Sequence, residues 1–139
     1  MKSVKEQTVL FFDTVNSGVR VCVISGKTKH EEFIELEGID KKKKDKIINS
    51  VVKTAMAKAN VNFANIDYFA VVVGPGSWTG ARVGVAVAKA YAMVWKKPIV
   101  ALKATDSLEE IEKKIESGET VTYDEIEPLY DKEFVVTLR

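Results

Sequence analysis

The residues best suited to chemistry lie in a glycine-rich turn, Gly74 to Gly80, between a buried strand and a helix. Glycines that can take positive φ stand beside a proline of fixed φ, so the backbone can reverse sharply there. Backbone N–H groups and the helix dipole at a helix start favour an anion. The turn lacks the Gly-Lys-Ser/Thr ending of a P-loop. Two interpretations stay open: phosphate binding, and a turn that shapes the fold or docks a partner.

Beyond this turn, small residues recur every four positions along the helix. Residues at this spacing share one helix face, and small side chains let another backbone approach closely. The pattern predicts a tight protein contact, either with this chain's own sheet or neighbouring helix or with another protein. Arg82 and Lys89 argue against a membrane span. The stripe consists of Gly80, Gly84, Ala88 and Ala92.

Other candidate residues have competing structural interpretations. His30 is the only histidine, so a histidine-rich metal cluster cannot form within one chain, and a Ser/His/Asp triad using Ser77 lacks its Gly-x-Ser-x-Gly elbow. The run Lys41 to Lys44 could contact RNA phosphates or form a solvated face. Trp78 is expected to anchor an interface, and Trp95 to cap the core.

Composition sets the class of protein. With 139 residues, 46% hydrophobic and 29% charged, the chain suits one globular domain with its own core. A formal net charge of +1 argues against a strongly electrostatic partner such as duplex DNA. A single cysteine, Cys22, excludes an internal disulfide and fits a reducing cytoplasm. The apolar run Val9 to Phe12 is too short for a signal-peptide core, so we expect a cytoplasmic protein.

Apolar runs and helical periodicity predict the order βββαβαβα and a mixed five-stranded sheet with helices on its faces. Ser77 and Thr79 are predicted N-caps of the second helix, as Asp40 is of the first and Asp106 of the third, and Gly118 is the predicted C-terminal stop. Residues 119–139 form a tail that could add an edge strand. The predicted strands are Thr8–Phe12, Val19–Ser25, Glu32–Leu36, Tyr68–Val73 and Pro98–Leu102, and the predicted long helices are Lys41–Asn60 and Gly80–Trp95.

This order resembles one lobe of the actin/hexokinase-like (ribonuclease H-like) fold. Within it, the opening strand ending in Asp13-Thr14, the turn-helix from Gly74 to Gly84 and the strand at Pro98 resemble the TsaB (YeaZ) family over about residues 9 to 110. Members are usually longer and carry a second lobe, which this chain lacks almost entirely. We therefore expect residues 1–118 to form the single N-terminal lobe and 119–139 a tail.

The resemblance implies a non-catalytic partner in the synthesis of threonylcarbamoyladenosine on tRNA. The implied partners are a TsaD-like catalytic protein and a TsaE-like ATPase, with a homodimer when alone, tRNA contacted only indirectly and no membrane. By the same resemblance the interface uses the two long helices, and the lone histidine excludes the two-histidine metal site that TsaD carries. The expected interface residues are Ile48, Val52, Met56, Trp78, Gly80, Gly84, Ala88 and Ala92.

Asp13 resembles the position where active relatives of this fold hold a metal-bound phosphate, and its alternative role is a hydrogen bond within the turn Thr14 to Gly18. No cofactor is expected, and ATP with Mg²⁺ would bind only at a partner interface. Two other functions stay open: a small ATP- or phosphate-binding enzyme of this fold, and a self-associating structural protein. The candidate phosphate-binding residues are Asp13, Thr14, Gly76, Ser77 and Thr79.

Overall fold

A computed structural model describes residues 6–15, 18–35, 41–76 and 78–128. Within these ranges the predicted order βββαβαβα is confirmed. A short 3-10 turn at Phe63–Asn65 precedes the fourth strand. The elements are β1 (Thr8–Asp13), β2 (Gly18–Ser25), β3 (Thr28–Glu35), α1 (Lys41–Ala59), β4 (Tyr68–Gly74), α2 (Trp78–Trp95), β5 (Ile99–Lys103) and α3 (Glu109–Glu116).

The five strands form one mixed sheet in the order β3-β2-β1-β4-β5. The pairs β1–β2 and β2–β3 are antiparallel, because short loops return the chain directly. The pairs β1–β4 and β4–β5 are parallel, and their long connections contain α1 and α2, as parallel pairing requires. The carboxyl ends of β1, β4 and β5 therefore share one edge of the sheet.

The helices lie on both faces of the sheet, as predicted. Alternate strand residues, such as Phe12 and Phe69, join the core beneath α1 and α2. The residues between them, such as Phe11 and Val72, join a second core that includes Ile111 of α3. Because β1 and β4 are buried on both faces, their sequences are continuous apolar runs rather than alternating ones.

Several predicted boundaries change in the structure. Strand β3 begins at Thr28 rather than Glu32, because β2 and β3 pair down to Ser25 and Thr28 around a two-residue turn. Helix α2 begins at Trp78, so Thr79 lies inside its first turn and the prediction of Thr79 as N-cap is wrong. Ser77, Leu36 and Asp40 lie outside the described residues.

The start of α3 also differs from the prediction. The helix begins at Glu109, with Leu108 at the N-cap position, so the prediction of Asp106 as N-cap is wrong. The Asp106 carboxylate instead accepts a hydrogen bond from the Lys103 N–H at 2.8 Å and closes the turn after β5. The predicted stop is confirmed, because Gly118 follows the helix with φ of 76°, the left-handed conformation that glycine adopts without a steric penalty.

The first part of the tail packs on the lobe. Val121 forms an isolated antiparallel bridge with Ile99 of β5, and Ile126 is buried in the core beneath α1 and α2. The strand-like segment 134–138 lies outside the described residues. In the described ranges, no helix is long and apolar enough to cross a membrane.

Candidate functional site

The first candidate site lies at the shared carboxyl edge of β1, β4 and β5. Asp13 ends β1 and is buried, and its Oδ1 accepts a hydrogen bond from the Val15 N–H at 3.0 Å. This is the predicted hydrogen bond within the turn that follows β1. The carboxylate thus fixes the local backbone, whatever ligand it could also meet.

The glycine turn packs against the segment that follows β1. Gly74 has a φ of 116°, and a cis peptide bond joins it to Pro75. A Cβ on Gly76 would collide with the Val15 side chain, so only glycine fits this approach. The turn is exposed at Pro75 and Gly76. Two of the candidate phosphate ligands, Asp13 and Thr14, are therefore brought near Gly76, whereas Ser77 lies outside the described residues.

A polar pocket of about 340 Å³ opens beside Asp13 on the α3 side of the sheet. Both signs of charge line it. Arg20 lies with its Cζ 5.6 Å from the centre of the Phe11 ring and forms an ion pair with Glu31, so its guanidinium is held in place. The charged and hydroxyl side chains of the lining are Asp13, Arg20, Lys29, Asp106, Ser107 and Glu109.

The Glu109 carboxyl at the rim of this pocket is ionised at neutral pH. A hydrogen bond to the Glu109 backbone N–H and a second from Ser107 lower the pKa of the Glu109 carboxyl, because both stabilise the charged form. An incoming anion would meet Arg20 and Lys29 on one side and this carboxylate on the other. The pocket is therefore polar, with two cationic and three acidic side chains in its lining, rather than strongly cationic.

The three residues of the small-residue stripe whose burial is described, Gly84, Ala88 and Ala92, face inward. Ala88 and Ala92 are fully buried, and a Cβ on Gly84 would collide with Thr14 Oγ1 and touch Val71 of β4 at 3.4 Å. The stripe thus packs on this chain's own sheet, which was one of the two partners left open above. Ala81, which belongs to α2 but not to the stripe, is also buried.

Most of the residues expected at a partner interface are therefore buried inside the chain's own fold. Six of the eight lie in the chain's own interior and cannot contact a partner while this fold is kept; they are Ile48, Val52, Met56, Gly84, Ala88 and Ala92. The expectation that they form a partner interface is wrong, because apolar periodicity marks the buried face of a helix without saying what covers it. Trp78 and Gly80 belong to α2. The structure describes their backbone but not the burial of their side chains.

The outer face of α2 carries an apolar surface that the pattern of small residues did not reveal. Ala86 and Ala90 are exposed, and the exposed fractions of Met93 and Val94 are 54% and 65%. These residues follow helical spacing of four, three and one, so they lie on one side of the helix. Exposed apolar patches mark interaction sites. The sequence signal was the run Ala90 to Trp95, in which all six residues are apolar or aromatic. We call Ala86, Ala90, Met93 and Val94 the outer α2 face.

An aromatic stack joins the C-terminal end of α2 to the core. The ring of Trp95 stacks on Phe63 with centres 5.6 Å apart, Phe63 stacks on Tyr91 at 5.0 Å, and Tyr91 stacks on Phe12 at 5.9 Å. The Tyr91 hydroxyl donates a hydrogen bond to Asn49 Oδ1 at 2.6 Å and so joins α2 to α1. Burial raises the pKa of Tyr91, so the hydroxyl stays a donor. The stack and this hydrogen bond pack the C-terminal end of α2 against Phe63, Phe12 and α1.

The remaining chemical candidates are accounted for individually. Cys22 is buried, and loss of hydration, followed by the nearby Glu31 charge, raises its pKa to about 11, so its thiol is neutral and a poor nucleophile. His30 lies on β3 opposite Val23. Among the residues that the structure describes, no three His, Cys, Asp or Glu side chains are grouped to hold a metal.

A family model and individual relatives both relate this chain to the same group of proteins. Residues 38–120 match the model of the family TsaD: tRNA N6-adenosine threonylcarbamoyltransferase. A tRNA N6-adenosine threonylcarbamoyltransferase of Wolbachia pipientis subsp. Culex pipiens (strain wPip) is 40% identical over 57 residues, which are 41% of this chain and 17% of the relative. The chain thus spans about a sixth of the length of the curated relatives it matches.

Solved structures confirm the fold. YeaZ from Pseudomonas aeruginosa superposes with a TM-score of 0.66 at 20% identity, over 81% of this chain and 50% of that chain. RuvC of T. thermophilus, in complex with a Holliday junction substrate, has a TM-score of 0.51 at 12% identity, over 95% of this chain and 88% of that chain. The predicted resemblance to YeaZ and the predicted mixed five-stranded sheet with helices on its faces are therefore confirmed at the level of fold.

Proposed function

The chain belongs to the TsaD family of tRNA N6-adenosine threonylcarbamoyltransferase proteins, and we propose that it is a non-catalytic partner in this tRNA modification. In this proposal the chain binds a TsaD-like catalytic subunit through the outer α2 face. The observation that carries it is the exposure of Met93 and Val94, 54% and 65%, on a helix whose opposite face is already buried in the chain's own core.

The character of the outer α2 face supports a protein partner. Covering methionine and valine side chains with another apolar surface is favourable, by about 25 cal/mol for each square ångström removed from water. Methionine also adapts its shape to the surface that it meets. The Trp95–Phe63–Tyr91 stack anchors the same end of the helix, so little conformational freedom is lost on binding.

Two features support a role without catalysis. The chain has one histidine, whereas the metal site expected of TsaD uses two. The one cysteine is buried with its pKa raised to about 11, which keeps it from acting as a thiolate nucleophile at neutral pH. In this proposal the catalytic groups come from the TsaD-like subunit, and a TsaE-like ATPase joins the same assembly.

Association is the direct test of this proposal. The full chain is mixed with a TsaD-like subunit, and the mass of the complex is read by light scattering after size-exclusion chromatography. We expect a complex of defined stoichiometry, and a homodimer through the same face when the subunit is omitted. A chain that stays monomeric in both samples would contradict the proposal.

A second candidate function rests on the polar pocket beside Asp13. Its volume of about 340 Å³ and its two cations, Arg20 and Lys29, suit a phosphate-bearing small molecule, and the exposed glycine turn lies at the same edge of the sheet. In this alternative the chain is a small ATP- or phosphate-binding enzyme. Calorimetry with ATP and Mg²⁺ separates the two, because tight binding that Arg20→Ala abolishes favours the enzyme.

A further inference from the structure

The charge of this chain is segregated, although its total is only +1. Helix α1 contains seven lysines and one aspartate, a formal charge of +6. Residues 105–127, which include α3, contain nine acidic residues and two lysines, a formal charge of −7. Helices α1 and α3 pack on opposite faces of the sheet. The protein therefore presents a basic side and an acidic side, which its net charge conceals.

The exposed side chains that the structure describes on α1 are mostly lysines and short polar groups. Lys43, Lys46 and Lys53 are exposed, and their spacing of three and seven residues places them along one side of the helix. At a rise of 1.5 Å per residue, the first and last lie about 15 Å apart along the axis. The exposed residues between and beside them are the short polar side chains Asn49, Ser50 and Thr54. Lys58 is not included, because it forms an ion pair with Glu32.

This surface differs in kind from the outer α2 face. Protein interfaces are depleted in lysine and are anchored by buried aromatic and apolar side chains. Contacts to a phosphate backbone are made by lysine and arginine together with serine, threonine and asparagine. The α1 face offers the second set, and its only exposed apolar side chain in the last turns is the small Ala57. Its composition therefore favours a polyanion over a protein.

We infer that the exposed face of α1 binds the phosphate backbone of a structured RNA, through Lys43, Lys46 and Lys53. The choice of RNA over DNA rests on the proposed function, whereas the choice of a polyanion rests on the surface itself. The acidic side of the molecule turns this basic side toward the RNA as the two approach, because a separated charge distribution orients association. Direct contact with RNA replaces the indirect contact that the family resemblance implied.

The test measures binding of the full chain to a folded RNA of tRNA size by fluorescence anisotropy, between about 50 and 200 mM salt. Neutralising two contacts in Lys46→Gln/Lys53→Gln should lower the slope of log K against log salt by about 1.5. The control is Lys113→Gln/Lys114→Gln on α3, which removes the same charge from the opposite side of the sheet and should leave the slope unchanged. Circular dichroism checks that each variant keeps the fold.

Three results would overturn the inference: no salt-dependent binding, an equal loss in both double variants, or equal affinity for duplex DNA of the same length. The same variants are also assayed for association with the TsaD-like subunit. Lys46→Gln/Lys53→Gln should still form that complex, since the outer α2 face is unchanged. Failure of RNA binding and failure of partner binding are thereby observed separately.

Discussion

Gly84 of α2 lies directly against Thr14, the residue that follows β1, so closely that a Cβ on Gly84 would collide with the Thr14 hydroxyl oxygen. This contact fixes α2 on the sheet and explains why its small residues face inward. A glycine in a helix interior normally costs stability relative to alanine, so its presence here reflects the close approach. The glycine therefore serves the fold of this chain.

Gly84→Ala should destabilise the protein by about 1–3 kcal/mol, the usual cost of overpacking. The direction of the change in stability reveals whether the close contact exists, because glycine to alanine at an unconstrained helical site stabilises a protein by about 0.4–1 kcal/mol. Chemical denaturation in urea measures the free energy of unfolding. The control is Ala90→Gly on the exposed side of the same helix, which should cost about 1 kcal/mol. An unchanged or raised stability of Gly84→Ala would refute the close contact.

Asp13→Ala should lower the free energy of unfolding by about 1–3 kcal/mol, because the buried Val15 N–H loses its acceptor. Asp13→Asn keeps an oxygen in the position of Oδ1 and should retain most of that stability. Thermal unfolding of both variants gives the comparison. Equal losses in the two variants would show that the charge of Asp13, rather than this hydrogen bond, sets the stability.

Tyr91→Phe should cost about 0.5–1.5 kcal/mol, the net worth of the hydrogen bond to Asn49, while the aromatic stack remains. A double-mutant cycle with Asn49→Ala isolates the pairwise energy. The cycle predicts that the second substitution costs little once the first is present. Fully additive effects would mean that the Tyr91–Asn49 contact does not join the two helices energetically.

Ionisation of the Cys22 thiol should lower the free energy of unfolding at high pH. Its pKa is raised from 9.0 unfolded to about 11 folded, so the folded state holds its proton longer. The resulting stability is fully present below pH 9 and is lost as pH rises from about 9 to 11. Urea unfolding across this range should show a decline that is smaller in Cys22→Ala than in the parent. Identical declines in the two proteins would contradict the raised pKa.

Much of the fold could be predicted because β1 and β4 are continuous apolar runs and α1 has helical periodicity. The sequence could not predict what the small-residue stripe at Gly84 packs against, since such a face suits the chain's own sheet and a partner protein equally. The start of α3 was missed because Asp106 uses its carboxylate to close the turn after β5. The outer face at Met93 and Val94 was missed because exposure depends on what the tertiary structure covers.

The central claim is that the outer α2 face binds a TsaD-like subunit, and a binding titration of Met93→Glu tests it most directly. A charge buried in an apolar interface should weaken the complex by at least about tenfold, or about 1.4 kcal/mol. The matched control is Phe33→Glu on β3, since the exposed fractions of Phe33 and Met93 are 53% and 54%. The account predicts weak binding by Met93→Glu and parent-like binding by Phe33→Glu. Parent-like affinity of a folded Met93→Glu protein would contradict it.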